Sequence, residues 1–189
     1  MRYTGETRKS ISLKKYVPLL SFILVIIITV VLFVYREAVA GLGNWGYLGA
    51  FLIGLVGNAT IILPMPSLFL LFALGATFNP ALVGLTGATG GAIGELSGYI
   101  LGYSGHGFIK NNQLFIKAET WMKRWGSATV FVFALVPVLP IDVAGIAAGA
   151  LRFPVWKFFT ACFSGKALLY ISLTLATSWG WHSIEKFFA

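Results

Sequence analysis

The chain has 189 residues, of which 58% are hydrophobic and only 11% charged. Soluble domains carry about 25% charged residues, so this composition is that of a membrane protein. The net charge of +8 does not indicate nucleic acid, because the cations gather beside apolar segments, and the single cysteine, Cys162, excludes an internal disulfide or a cysteine-rich metal site.

Residues 1–16 are basic: Arg2, Arg8, Lys9, Lys14 and Lys15 precede the uncharged 18-residue run Val17–Val34. A run of that length crosses about 30 Å of hydrocarbon, so a first transmembrane helix is expected over 17–35 with a cytoplasmic N-terminus. The alternative is a secretory signal, since Ala38-Val39-Ala40 resembles a cleavage site. The apolar run is longer than the usual signal core of about 7–15 residues, which favours an uncleaved span.

From about 47 to 78 runs an apolar stretch interrupted by Asn58 and by Pro64-Met65-Pro66. Residues 81–104 read as a glycine-rich helix containing Glu95. Residues 106–125 mix lysine and arginine with Phe, Ile, Met and Trp, as a helix lying in the membrane interface does, and Lys110, Lys117, Lys123 and Arg124 place it in the cytoplasm. A second apolar stretch, 127–150, is broken at Pro137-Val138-Leu139-Pro140 and contains Asp142. The last long helix, 154–181, has Lys166 near its middle.

The two broken stretches correspond at a constant offset of 74 residues: Pro66 with Pro140, Gly75 with Gly149, Ala76 with Ala150, Pro80 with Pro154 and Gly91 with Gly165. Prolines are scarce, 7 in the chain, so the proline pairs carry the correspondence. A crossing needs about 20 residues, which makes two full spans within either stretch implausible. The expected fold is an all-α integral membrane protein built as an inverted repeat. It has an N-terminal span and a domain over 46–181 with two opposed, proline-broken re-entrant hairpins, each followed by a transmembrane helix. The plainer alternative is a set of short or kinked helices in an ordinary bundle.

Three charges interrupt the apolar stretches. Around an ideal helix Gly84, Gly91, Gly98 and Gly102 lie within roughly 60° of Glu95, so its carboxylate sits on a face that another backbone can approach closely. Lipid exposure would cost at least about 2.5–3.5 kcal/mol, and intramembrane ionisable groups commonly mark a pathway or site. A carboxylate that only locks helices together is the alternative. Asp142 follows two prolines whose turn frees backbone amides to hold it, and Lys166 needs an anion or a cavity. Either carboxylate could pair with Lys166. Enzyme chemistry has little support: His106 and His182 lie near membrane edges, no spacing suggests a metal, and Ser67, Ser97 and Ser164 have no evident base. No cofactor is expected.

GGAIGELSGYILG together with VPVLPIDVAGIAAGALRFPVWKFFTACFSGKAL resembles the VTT-domain family, the DedA superfamily, also called SNARE-associated Golgi proteins. The similarity is greatest to the branch of the vacuole membrane proteins, through Ala92–Leu96 with Tyr99 and the series Pro137, Asp142, Gly145, Gly149, Pro154, Trp156, Phe158, Phe159, Gly165 and Lys166. It covers roughly residues 55–170. The resemblance implies two opposed re-entrant hairpins and movement of lipids between leaflets, by scrambling or by flipping. Ala134 and Pro140 stand where many DedA relatives carry arginines, and Ser67 and Leu68 stand where an acidic residue often follows the first proline. These departures favour energy-independent scrambling over proton-coupled transport of polyprenyl phosphate. Against many such relatives the chain, ending at Ala189, is about one helix short.

The functional expectation is a lipid transporter of a prokaryotic-type plasma (inner) membrane. Glu95, Asp142 and Lys166 would solvate phospholipid headgroups, while Pro64, Pro66, Pro137, Pro140, Gly91, Gly98, Gly145, Gly149 and Tyr99 shape and pack the hairpins. Membrane lipids are the expected partners, nucleic acid is not, and a homo-oligomer is left open. Two other classes remain: a proton- or ion-coupled transporter of a small anionic solute, and a scaffold that transports nothing.

Overall fold

The computed structural model describes residues 17–59, 66–105 and 113–188, and all regular structure among them is helical. The basic residues of 1–16, Pro64 with its neighbours over 60–65, and the stretch holding His106 and Lys110 lie outside the described residues. Helix α1, Val17–Val34, contains no charge, and its Ile26, Ile27, Val30 and Val31 are exposed. A short α2 (Arg36–Ala40) leads to α3 (Trp45–Ala59) and α4 (Pro66–Thr77).

Helix α5, Pro80–Gly94, starts for reasons written in its first residues. Pro80 occupies the first turn, where its missing N–H costs nothing, and the Asn79 side chain accepts from the amides of Ala81 and Leu82 at 3.0 and 3.2 Å. The expected helix over 81–104 forms as two consecutive pieces, α5 and α6 (Leu96–Tyr103), with Glu95 between them. Glycines at 90, 91, 94 and 98 weaken the helix around Glu95, yet its backbone stays right-handed (φ −64°, ψ −17°) and its amide still reaches the Gly91 carbonyl at 3.0 Å.

In α7, Gln113–Trp125, Phe115, Ala118 and Met122 share one buried face while Lys117, Lys123 and Arg124 stay exposed. Helices α8 (Ser127–Leu135) and α9 (Ile141–Ala150) flank the Pro137–Pro140 turn, and α10 runs from Val155 to Phe188. At 1.5 Å per residue α3, α4, α8 and α9 measure only about 13–23 Å, short of a bilayer core. Val155–Trp179 of α10 is long and apolar enough to cross one.

The short helices pair at their outer ends. Phe78, after α4, packs on Gly46 and Tyr47 at the start of α3, with the Tyr47 and Phe78 ring centroids 5.6 Å apart. Phe153, after α9, packs on Gly126 at the start of α8; Gly126 has φ +50°, a conformation that favours glycine. Two hydroxyls tie these ends to the opposite unit. Thr174 of α10 donates to the Pro80 carbonyl at 2.8 Å, and the Tyr99 hydroxyl of α6 donates to the Phe153 carbonyl at 2.6 Å. The outer ends of α3 and α4 are therefore level with Thr174, whereas those of α8 and α9 lie by Val155. Along a helix those positions are about 28 Å apart.

The helices pack in two similar sets of pairs. Helix α5 packs on α3 as α10 packs on α8, and α10 packs on α4 as α6 packs on α9. Small residues make these approaches close. A Cβ on Gly102 would overlap the Ile146 carbonyl, and one on Gly149 would overlap the Tyr99 carbonyl, so α6 and α9 touch backbone to backbone. A second glycine face, Gly87, Gly90 and Gly94, meets α3: Cβ atoms at Gly90 and Gly94 would run into the Phe51 and Leu55 carbonyls. Gly98 and Gly145 are different, since added Cβ atoms would find neighbours at 3.5 Å or more, ordinary contact.

Gly149→Ala is expected to lower unfolding free energy by about 1–3 kcal/mol through overpacking, whereas Gly98→Ala should change it by less than about 0.5 kcal/mol. Equilibrium unfolding in detergent checks this, and equal losses at the two positions would contradict the α6–α9 contact.

Candidate functional site

Lys166 lies in α10 about half-way between Val155 and Trp179, where a helix crossing the bilayer is deepest. It is 4% exposed and Glu95 is 1% exposed, so both charges are removed from any surrounding solvent or lipid. The Lys166 ammonium meets Glu95 Oε1 at 2.9 Å and donates to Asn58 Oδ1 at 2.7 Å. Removing two charges from water costs several kcal/mol each, so such a pair persists only with close geometry and further hydrogen bonds. Asn58 supplies them: its amide donates to the Gly54 carbonyl at 2.6 Å and reaches the Tyr170 hydroxyl at 3.4 Å. The Tyr170 ring sits 5.7 Å from the ammonium, one turn along α10.

Each group is placed by a separate element. Glu95 stands at the junction of α5 and α6, Asn58 near the end of α3, and Lys166 and Tyr170 on α10. Gly91, one turn before Glu95, leaves the room: a Cβ there would lie 3.1 Å from the lysine Cδ and 3.2 Å from the Asn58 amide nitrogen. Cys162, one turn before Lys166, is fully buried in apolar packing.

Asp142 is half-buried in the first turn of α9, with its backbone against Gly98. Helix α9 starts after Pro140, which lends no side-chain cap, and Asp142 is the acidic residue of its first turn. Its carboxyl group lies close enough to that of Glu95 to interact with it. Glu95 Oε2 is buried without a hydrogen-bond partner. A cavity of about 170 Å³ adjoins these groups, lined by Asn58, Leu68, Pro137, Asp142, Lys166 and Tyr170 among others. Polar groups thus face it from both halves of the domain.

Of the residues singled out in the sequence, Glu95, Asp142, Lys166 and Gly91 come together here. Pro137 and Pro140 form the cavity wall on the α8–α9 turn. Pro66 opens α4, Gly149 and Tyr99 serve the α6–α9 contact, and Gly98 and Gly145 lie beside the cluster in ordinary contact. Pro64 lies outside the described residues. Asn58 and Tyr170 were not singled out as site residues. Tyr170 had a readable signal, because it follows Lys166 by four residues and so shares its helix face. Among the described residues no group of histidine, cysteine and carboxylate side chains could hold a metal ion.

A family model described as the VTT domain matches residues 65–178. No protein of curated function and no solved structure matches the chain.

Lys166→Met leaves the Glu95 carboxylate buried and unpaired, and should lower unfolding free energy by about 3–5 kcal/mol. Adding Glu95→Leu should recover most of that loss, because both charges are then gone. Strictly additive losses in this double-mutant cycle would contradict a direct pair.

Proposed function

The chain belongs to the VTT-domain family, the DedA type of membrane protein, and from that premise we propose that it is a transporter, not an enzyme, moving phospholipids between leaflets. The observation that carries this reading is the buried Glu95–Lys166–Asn58 cluster, half-way along the membrane-length helix and open to a cavity beside Asp142.

In this reading the α3–α4 and α8–α9 pairs are re-entrant hairpins that enter from opposite faces. Their lengths support it, since none of the four helices reaches across, and so does the separation of their outer ends along α10. The N-terminus is then cytoplasmic, in a plasma membrane of prokaryotic type. If such hairpins meet at mid-membrane, the hydrocarbon path for a headgroup is short, and irregular backbone is tolerated there only where protein or a water-filled cavity covers it. A zwitterionic headgroup carries a phosphate and an amine. Lys166 offers a donor to the first and Asp142 an acceptor to the second, while the acyl chains stay in lipid. The Lys166 ammonium is already held by Glu95 and Asn58, so passage requires the hairpins to part and loosen those bonds.

A second reading, proton-coupled transport of a small anion, is favoured by one observation. Glu95 Oε2 is buried without a partner while Asp142 lies nearby, and two carboxyl groups join only through a shared proton.

The test is reconstitution in liposomes with headgroup-labelled phospholipid and a membrane-impermeant quencher. Wild-type protein should expose the inner-leaflet label without a pH gradient, and Asp142→Asn should slow exposure about tenfold, equivalent to about 1.4 kcal/mol in the barrier. An inner-leaflet label as protected as in empty liposomes would overturn the lipid reading. Solute uptake that needs a pH gradient, without lipid movement, would establish the second.

A further inference from the structure

Two shallow hollows flank the start of α8 and meet at one small exposed residue, Ala128. The first, about 300 Å³, is walled by the indoles of Trp121 and Trp125 and floored by Ala128, Thr129 and Val132. The second, about 390 Å³, lies between α8 and α10 and is lined by Ala128, Phe131, Thr160, Ala161 and Ser164, with Ser127 at its edge. The hydroxyls within them are turned away. Thr129 donates to the Trp121 carbonyl at 2.9 Å, Thr160 to the Trp156 carbonyl at 3.0 Å, and Ser164 to the Thr160 carbonyl at 2.8 Å. The lining is mostly apolar, with the indoles of Trp121 and Trp125 on one side and Phe131 and Ala161 on the other.

At that outer end sits Arg124, whose guanidinium lies 5.4 Å from the Trp125 ring centroid. Its neighbour Lys123 is paired with Glu119 at 2.7 Å, whereas Arg124 has no ion pair among the described residues. Helix α8 also begins here without a side-chain cap, so its first amides favour a phosphate.

We infer that the start of α8 is a binding site for one anionic two-chain phospholipid, its acyl chains lying on either side of Ala128 and its phosphate on Arg124. Paired apolar hollows fit two chains joined at one head, and the Arg124 guanidinium beside them fits a negative head better than a zwitterionic one. The site is separate from the buried Glu95–Lys166 cluster and does not depend on the transport reading.

Native mass spectrometry of the full chain, exchanged into detergent with equimolar phosphatidylglycerol and phosphatidylcholine of the same acyl chains, tests this. Wild-type protein should retain one phosphatidylglycerol in preference to phosphatidylcholine by about tenfold. Arg124→Gln should bring that ratio near one, Ala128→Trp should remove both adducts, and Lys117→Gln should leave the preference intact. Equal retention of the two lipids by wild type, or an adduct that survives Ala128→Trp, would overturn the site. If Ala128→Trp does not accumulate, Arg124→Gln decides, and an unchanged preference would overturn it.

Discussion

A lysine half-way along a membrane-length helix and only 4% exposed must find its acceptors within the protein, so the rest of the fold must bring them. Two come from the first half of the domain, Glu95 at 2.9 Å and Asn58 at 2.7 Å. Neither can be supplied by a neighbour on α10. The ion pair therefore ties the two units together, and its cost of desolvation is offset only while α3, α5 and α10 stay in register. Asn58 matters because it both accepts from Lys166 and anchors its own amide to Gly54 and Tyr170.

That register rests on backbone contacts which larger side chains would forbid. Gly54 and Gly87 oppose each other between α3 and α5, Gly84 admits the α10 backbone at Ile171, and Gly102 and Gly149 bring α6 and α9 together. In lipid, where helices gain little from hydrophobic association, such close approaches supply much of the packing. The glycine face predicted around Glu95 divides in the structure. Its α5 part, Gly84 and Gly91, serves α10, and its α6 part, Gly98 and Gly102, serves α9. Glu95 stands where the division falls, which is why it can face Lys166 on one side and Asp142 on the other.

The three charges were legible because a charge in an apolar stretch is conspicuous, and the helix positions were legible from proline and glycine spacing. The identity of the Lys166 partner was not, since nothing in one sequence ranks Glu95 above Asp142. Asn58 showed only as an interruption, because an amide has no charge to mark it and its side-chain partners, Lys166 and Tyr170, lie more than a hundred residues away. The role of Tyr99 in binding the Phe153 carbonyl was also hidden, as it depends on where α9 ends. Asp142 was legible as a charge following two prolines, but its closeness to Glu95 was not, because that depends on the contact between α6 and α9.

The most direct measurement of the Glu95–Lys166 link is charge exchange. Glu95→Lys alone and Lys166→Glu alone each bury two like charges and should abolish folded protein and lipid movement. The exchanged pair, Glu95→Lys with Lys166→Glu, should recover folded protein and measurable lipid movement in liposomes. An exchanged pair no better than the single reversals, or a single reversal as active as wild type, would contradict it.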